Sequence, residues 1–467
     1  MASSSADAAD AVFWKAYGTA IKRTIGQITI NEKTAFYLAT KAQAGPPGGD
    51  GIFPSFTNEG LFQLGNNLLP PDQLFYSPST LNSYIGQLQT YLHWVDVGGN
   101  PSDVNVTQVT NTLQDMNAAQ IGLGKQLTLA LADFKQQQDA GLAGTQTFAQ
   151  WAPGNAVGYT MALQSYKSKA AAYQKAVSNA YGPLASQKLD DEAKLQKALD
   201  TLTSNTGFNM ECVLGSPPSP REFNNAVSSG SQLPAPPGVL RPAYNAPGYI
   251  TAIKKAQSVI GSGTKPSSSM QITYSQGTDV RETSFNQSAQ SASVGFSYFP
   301  WISFNANASH ETTTSSVSTQ ADASDITITL FYDDMSLVTI NPSGSWDLGD
   351  VRTKYKGLLP GAPKEVQTLV KPTQLLLATR LGYKVKLGAS SSKQFDSYYR
   401  DTVSGGGSVS IFGIPCSIGG DASRSTENTT HNLAWNSTTQ EFTVDPTDNA
   451  GFATIVGLIG EKVTTGA

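Results

Sequence analysis

Histidine is the side chain that most often serves as a metal ligand or general base near neutral pH, and this chain has three. His93 lies in the apolar helical segment Tyr91–Trp94, which predicts a packed imidazole. His310 and His431 lie in the second half, and Arg424 takes the place of His310 in an internal repeat, which predicts a polar surface position there. Neither a Gly-x-Ser-x-Gly elbow nor a Cys-His signature is present, so no nucleophilic triad is predicted.

Acidic pairs and glycine-rich stretches add no chemistry. Adjacent strand residues point to opposite faces, so Asp333 and Asp334 are predicted to lie at a turn and not to share a proton or metal ion. The glycine-rich stretches 45–49 and 405–407 do not precede a helix that begins with Lys-Ser or Lys-Thr, as a phosphate-binding loop requires. The sequence therefore predicts a protein that is not an enzyme and that has no cofactor and no metal site.

The two cysteines, Cys212 and Cys416, are too few for a disulfide framework, and their spacing matches no zinc motif. Cys416 takes the place of Trp301 in the internal repeat, which predicts a small apolar core residue. An intermolecular disulfide is the alternative, and it requires an exposed thiol.

The composition is that of a protein whose surface carries few ions. Charged residues make up 14% of the 467 residues, and the formal net charge is −4 at pH 7. Nucleic-acid binding needs clustered Lys and Arg, so no nucleic-acid partner is predicted. The N-terminal segment lacks the regions of a secretory signal, and no run is long enough for a membrane-spanning helix. These features predict a soluble protein that is cytoplasmic as synthesised, with later release from the cell left open.

A strand motif occurs twice in the second half. Residues 293–301 (SVGFSYFPW) match residues 408–416 (SVSIFGIPC), with Ser-Val at the same distance from the proline in both. An Asn-Pro or Asp-Pro pair follows each copy. The matches predict a duplicated β domain, with one copy at about 270–345 and the other at about 383–450.

Helical periodicity dominates the first half. Apolar residues recur at heptad-like spacing over 104–140, and a second such seam runs over 159–180 before Gly182-Pro183. Long helices joined by short breaks favour an antiparallel bundle. The predicted fold class is α+β, with an antiparallel helical bundle over 1–205, a Pro-rich crossover or linker over 206–247, and a duplicated antiparallel β-sandwich-like domain over 248–467.

Ser-rich alternation is the feature of the second half that suggests a function. Over 292–308 the even positions are mostly apolar and the odd positions are mostly Ser or Asn, as in a strand with one polar face. Phe299-Pro300-Trp301 interrupts this pattern, which predicts either two strands around a bend or one kinked edge strand. The candidate contacts to a membrane or a partner lie around this tip and its repeat: Phe296, Tyr298, Phe299, Pro300, Trp301, Ile302, Phe304, Ile411, Phe412, Ile414, Pro415 and Cys416.

Alternating segments of this length that meet at an apolar tip have the pattern of a membrane-inserting β-hairpin. They predict a non-enzymatic, membrane-active protein of the β-pore-forming, toxin-like kind, which contacts a lipid bilayer or a cell-surface receptor and forms a homo-oligomer. The alternative is a self-assembling structural, storage, crystalline or scaffold protein, because low charge and open edge strands favour ordered association. An ordinary antiparallel sandwich with one packed face and one wet face shows the same alternation.

Overall fold

The structure is a computed structural model that describes part of the chain. The described residues are 7–25, 33–49, 52–70, 75–76, 83–99, 101–140, 142–143, 146, 148–200, 207–213, 222, 238–259, 265–281, 285, 298–308, 311–343, 346–349, 351–363, 368–405, 407–418, 431–446 and 451–464.

Helices and strands occur in both halves of the chain. The helices are α1 (Ala8–Ile25), α2 (Pro54–Asn66), α3 (Tyr84–Trp94), α4 (Asp103–Asp139), α5 (Phe148–Asn155), α6 (Val157–Tyr181), α7 (Pro183–Leu199), α8 (Tyr249–Val259), α9 (Ser275–Thr278), α10 (Val351–Lys354) and α11 (Ala389–Gly405), with a 3-10 turn at Ala323–Asp325. The strands are β1 (Thr34–Ala44), β2 (Phe75–Tyr76), β3 (Asn209–Val213), β4 (Gly238–Pro242), β5 (Tyr244–Asn245), β6 (Ser268–Thr273), β7 (Ile302–Ala308), β8 (Glu311–Ser316), β9 (Thr327–Tyr332), β10 (Asp334–Thr339), β11 (Asn341–Pro342), β12 (Thr368–Thr379), β13 (Gly382–Lys386), β14 (Gly407–Ile411), β15 (Ile414–Ile418), β16 (His431–Asn436), β17 (Glu441–Pro446) and β18 (Thr454–Thr464).

The mixed α+β class predicted from the sequence is confirmed. The larger sheet has nine strands in the order β6-β9-β13-β17-β16-β15-β14-β7-β8, and a second sheet has the order β10-β12-β18-β1-β2. Within these two sheets the neighbours are antiparallel except for the pairs β1–β2 and β15–β16, which are parallel. Two small sheets pair β5 with β11 and β3 with β4.

The five-stranded sheet is covered on both faces. Phe36 and Leu38 of β1 belong to a core that also contains α1 and the nine-stranded sheet. Ala35 and Tyr37, which alternate with them, belong to a second core formed with residues of α2, α3 and α8. Successive strand side chains point to opposite faces, so this division follows directly from the backbone.

The two long helices of the N-terminal region pack against each other, as the seams in the sequence predict. Lys169 of α6 lies 2.8 Å from Asp115 of α4, and the indole of Trp151, just before α6, donates to Gln137 near the end of α4. These contacts fix an antiparallel arrangement. With 37 residues, α4 is about 55 Å long, and Ala130 is its buried residue.

The first 205 residues contain strands as well as helices, which was not expected from the sequence. Strand β1 pairs with β18 near the end of the chain, and α1 packs into the core of the nine-stranded sheet. The predicted boundaries at 205 and 247 remain predictions. Within the Pro-rich interval, 206, 214–221 and 223–237 lie outside the described residues, and the described part contains β3, β4 and β5.

The two copies of the predicted repeat lie in the same sheet. Residues 408–416 supply most of β14 and the start of β15, which form a hairpin. Of 293–301, the structure describes 298–301, which lead into β7. Strand β14 pairs with β7 on its other side. The duplication itself remains a prediction.

Candidate functional site

The β7–β8 hairpin forms one edge of the nine-stranded sheet. Phe304 of β7 pairs with Val409 of β14 on one side and with Ser315 of β8 on the other. Both sides of β7 are therefore occupied by described strands. The described hairpin of β7 is formed with β8, so the bend at Phe299–Trp301 is not its turn. The sequence pattern predicted the tip of the hairpin at this bend.

Trp301 is fully buried immediately before β7. Its ring stacks on Phe412 at a centroid distance of 4.9 Å and lies 5.0 Å from the ring of Phe13. The indole N–H donates to the hydroxyl of Thr319 at 3.4 Å. The ring of Tyr17 also stacks on Phe412, at a centroid distance of 4.5 Å. Trp301 thus connects the start of β7 to α1 and to the β14–β15 turn.

The β14–β15 turn points its aromatic side chain into the core. Ile411 pairs with Ile414, so Phe412 and Gly413 are the two turn residues, with φ of 47° and 76°. Positive φ at both positions is the mark of a type I′ hairpin turn. The backbone N–H of Phe412 donates to the carbonyl of Trp301 at 2.8 Å. The turn therefore comes before the Ile414-Pro415-Cys416 tip that the repeat suggested.

Helix α1 begins with a reciprocal cap. Asp7 accepts from the N–H of Asp10 at 3.0 Å, and Asp10 accepts from the N–H of Asp7 at 2.8 Å. This is the geometry of a capping box, with Asp in place of the usual Ser or Thr and Glu. The cap fixes both carboxylates at the N-terminus of α1.

The same two carboxylates bind both ends of the β7–β8 hairpin. We define the hairpin root as the segments Phe299–Trp301 and Ser318–Gln320. Asp10 accepts from the backbone N–H of Trp301 at 3.2 Å. One oxygen of Asp7 accepts from the Ser318 hydroxyl at 2.9 Å and from the backbone N–H groups of residues 319 and 320 at 3.0 and 3.2 Å. The indole of Trp14 donates to the carbonyl of Phe299 at 2.6 Å.

Burial changes the protonation of two groups near this region. Desolvation, reinforced by the negative charge of Asp7, raises the pKa of Asp10 to about 7, although backbone hydrogen bonds oppose the change. Desolvation lowers the pKa of His431 in β16 to about 4. The Nε2 of His431 donates to the carbonyl of Leu381 at 2.8 Å. At neutral pH His431 is therefore a neutral, hydrogen-bonded core residue.

Helix α11 covers β7. Phe304 lies 5.1 Å from the ring of Phe395 and 5.8 Å from that of Tyr398. The N-terminus of α11 is capped by Asp322, which accepts from the N–H groups of residues 390 and 391 at 2.7 and 2.9 Å. Gln394 of α11 also accepts from the N–H of Ser318 at 2.7 Å. The hairpin is thus held by α11 as well as by α1.

The candidate contact residues lie mostly in the core. Phe299 is 48% exposed, and Tyr298, Pro300 and Pro415 are half-buried, whereas Phe296 lies outside the described residues. The remaining seven are buried together in the core that contains α1: Trp301, Ile302, Phe304, Ile411, Phe412, Ile414 and Cys416. Seven of the residues that the sequence predicted as candidate contacts to a membrane or a partner thus lie together, in the core of the folded protein.

Both cysteines are buried free thiols. Cys416 is fully buried, in agreement with its prediction as a small core residue. Desolvation, together with the nearby charge of Glu59, raises the pKa of Cys212 to about 12. Neither thiol has the exposure that an intermolecular disulfide requires.

The roles of Asp7 and Asp10 were missed from the sequence. Two Asp residues three positions apart, just before the apolar helical pattern of Phe13, Trp14 and Tyr17, are a recognisable N-terminal helix signal. That signal predicts a cap. It does not predict that the cap binds residues about 300 positions away.

Comparison of the chain with protein-family models, with curated proteins and with solved structures found no match. Among the residues that the structure describes, no helix is both long enough and apolar enough to cross a membrane. The same residues contain no group of three or more His, Cys, Asp or Glu arranged to hold a metal ion. The site is therefore described by its own geometry.

Proposed function

We propose that this is a membrane-active protein that acts by inserting the β7–β8 hairpin into a lipid bilayer. The position of the hairpin at the sheet edge is the observation that carries this proposal. Among the described strands, β8 pairs with β7 alone, so the hairpin leaves the sheet when the single β7–β14 ladder breaks. No catalytic group, cofactor or metal is part of this activity.

The composition of the hairpin supports the proposal. Along β7 the side chains alternate between the buried Ile302 and Phe304 and the half-exposed Ser303 and Asn305, and β8 consists of Glu, Thr and Ser. A strand that crosses a membrane needs about 9–11 residues. The two strands have seven and six residues, so insertion requires that neighbouring residues extend them. The alternation resumes upstream of the Phe299-Pro300-Trp301 interruption, back to position 292, and supplies a suitable sequence.

A covalent lock of the hairpin tests this mechanism. Ser303 pairs with Ser410 across β7 and β14, and both side chains are half-buried, so the variant Ser303→Cys with Ser410→Cys places two thiols opposite each other. We expect the oxidised variant to lose at least about 90% of dye release from anionic and zwitterionic liposomes, because the hairpin cannot leave the sheet. Reduction with dithiothreitol restores release.

A matched lock at the other end of the sheet is the control. Gln271→Cys with Thr329→Cys joins β6 to β9 and leaves the β7–β14 ladder free. We expect it to release dye in both redox states. Equal release from the oxidised and reduced forms of the Ser303/Ser410 variant would show that another element inserts. No release from the unmodified protein in either liposome would reject the proposal.

Self-assembly is the second candidate function, and the open edge of β8 favours it. Thr314 is exposed on this edge strand, and unpaired backbone groups there can pair with a second copy of the chain. We expect the unmodified protein to form homo-oligomers without lipid if this candidate is right. Thr314→Lys then shifts the sedimentation profile to monomer, since charges block edge pairing, and the exposed control Lys384→Gln leaves it unchanged. A protein that is monomeric without lipid contradicts this candidate.

We also propose that the β region arose by duplication. Strands β6 and β9 form one antiparallel pair, and strands β13 and β17, which occupy the matching places in the second copy, form another. Both pairs lie side by side in the nine-stranded sheet. This arrangement supports the sequence matches between the two copies.

A further inference from the structure

We propose that α1 is an inhibitory latch that keeps the β7–β8 hairpin in the sheet, and that Asp7 and Asp10 are the groups by which it holds both ends of the hairpin root. The inference rests on the proposed function, in which release of the hairpin leads to membrane insertion. The mechanical claim, that α1 restrains the hairpin, can be tested without any membrane.

Helix α1 contacts both points where the hairpin joins the rest of the protein. Before β7, the Trp14 indole and the Asp10 carboxylate bind the backbone of Phe299 and Trp301. After β8, Asp7 binds three donors within Ser318–Gln320. A hairpin that moves out of the sheet must pivot about these two points. Helix α1 is therefore placed to restrain the motion itself.

Water cannot replace the hydrogen bonds that Asp7 and Asp10 accept from the buried backbone of the hairpin root. Trp301 and Thr319 are fully buried, and their backbone N–H groups donate to Asp10 and Asp7. Removing an acceptor leaves a buried N–H unsatisfied, which costs more than an exposed hydrogen bond contributes. The latch thus depends on the carboxylates of Asp7 and Asp10, and the effect of removing either one can be measured.

The groups around Asp10 make the latch sensitive to pH. Asp7 is the charged neighbour that acts on Asp10, within the same helix cap. From the other elements, Phe299–Trp301 presents a backbone N–H and aromatic rings, residues 318–320 present hydroxyl and amide groups that bind Asp7, and α11 presents the neutral Gln394. The carboxylate of Asp322 is turned toward the N-terminus of α11. Ionisation therefore places Asp10 as a second buried negative charge beside Asp7, and the latch weakens as the pH rises.

Hydrogen exchange of the full-length protein tests the latch directly. We expect Asp10→Ala to lower the protection factors of β7 and β14 amides by about 10- to 100-fold, because the buried N–H of Trp301 loses its acceptor. The amides of β9 and β13, far along the sheet, keep their protection. Asp191→Ala is the matched control, since Asp191 is also a buried carboxylate but lies in α7, bound to Lys354 and Tyr355. We expect it to leave β7 and β14 unchanged.

Asp10→Asn provides a second variant that retains an acceptor for Trp301. In the unmodified protein we expect the protection of β7 to fall about 10-fold relative to that of β9 between pH 6 and pH 8.5, and in Asp10→Asn we expect this fall to be absent. Equal protection of β7 in Asp10→Ala and the unmodified protein, or a pH response that persists in Asp10→Asn, overturns the latch. If Asp10→Ala unfolds throughout, the pH comparison still decides.

Dye release from liposomes, measured on the same samples, separates the latch from the proposed function. Faster exchange of β7 in Asp10→Ala without any dye release supports the latch and rejects membrane insertion. Dye release from the unmodified protein that is unaltered in Asp10→Ala, with unchanged exchange, supports insertion and rejects the latch. Faster exchange together with at least about a tenfold higher rate of dye release supports both.

Discussion

Trp301→Ala is expected to lower the free energy of unfolding by about 3–5 kcal/mol, the range observed when large aromatic side chains are truncated in a core. Trp301 is fully buried, stacks on Phe412, contacts the ring of Phe13, and donates a hydrogen bond to Thr319. Truncation leaves a cavity between α1 and the start of β7. Urea unfolding followed by circular dichroism measures the change from the transition midpoint at constant slope.

Phe299→Ala is the matched control two positions away. Its ring is 48% exposed and contacts Phe75 at 5.5 Å, so we expect a loss of about 1 kcal/mol or less. The sequence predicts the same role for both residues, that of a candidate contact to a membrane or a partner. The comparison distinguishes the packed side chain of Trp301 from the exposed side chain of Phe299. A loss below about 1 kcal/mol for Trp301→Ala would contradict the packed position of this side chain. An intact fold with lost membrane binding in Phe299→Ala would identify Phe299 as a lipid contact.

Two buried groups are expected to give stability opposite pH dependences. The pKa of Asp10 is raised to about 7 in the folded protein, so the folded state binds a proton that the unfolded chain has already released between about pH 4 and 7. Its contribution to stability is present below pH 4 and is lost as the pH rises toward 7. The pKa of His431 is lowered to about 4, so its contribution is present above pH 6.5 and is lost as the pH falls toward 4.

Single substitutions should separate these opposing effects. At about 1.4 kcal/mol per pH unit, Asp10 changes the free energy of unfolding by about 4–5 kcal/mol and His431 by about 3–4 kcal/mol, each across its own window. We expect a shallow profile for the unmodified protein between pH 4.5 and 6.5. Asp10→Asn should lose stability on acidification there, because the effect of His431 remains. His431→Gln, which can still donate to the carbonyl of Leu381, should gain stability on acidification.

Urea unfolding at intervals of half a pH unit measures both profiles. The double variant serves as the control, since it should remove both slopes. A profile of Asp10→Asn that is parallel to that of the unmodified protein would mean that Asp10 does not titrate in this range. The same result for His431→Gln would mean that the imidazole is not held neutral in the core.

The opposing pH effects are relevant to hairpin release. In the proposed mechanism, membrane insertion must remove Ile302 and Phe304 from the core and break the contacts of Trp301 with α1. Apolar burial of this kind costs several kcal/mol to reverse. A protein held in this way remains folded until the restraint is lifted. Ionisation of Asp10 weakens the restraint at the hairpin root while the neutral His431 keeps the centre of the sheet stable.

The helical periodicity and the strand alternation were readable because each reports a local geometry. The seams over 104–140 and 159–180 correspond to α4 and α6, and their antiparallel packing follows from the short connection between them. Alternation after the bend predicted a polar and an apolar face for β7, and Ser303 and Phe304 have those positions. In each case neighbours in the sequence supply the signal, so no distant contact is needed.

The sequence did not determine whether the apolar segment Phe299-Pro300-Trp301 is exposed or buried. Phe299-Pro300-Trp301 reads equally well as an exposed tip and as a segment that enters a core, because burial depends on what lies opposite. What lies opposite is α1, whose Asp10 and Phe13 are almost 300 residues earlier in the chain. No local pattern specifies that pairing.

The sequence by itself therefore determined the long helices α4 and α6, the two faces of β7, the mixed α+β class and the group of apolar residues around Pro300 and Pro415. Only the tertiary structure decided that this group forms a core, that β7 pairs with β8 and β14, and that the cap of α1 binds the hairpin root. The physical reason is that periodicity and capping arise from interactions within a few residues. Burial, strand order and the pKa of Asp10 arise from contacts between segments hundreds of residues apart.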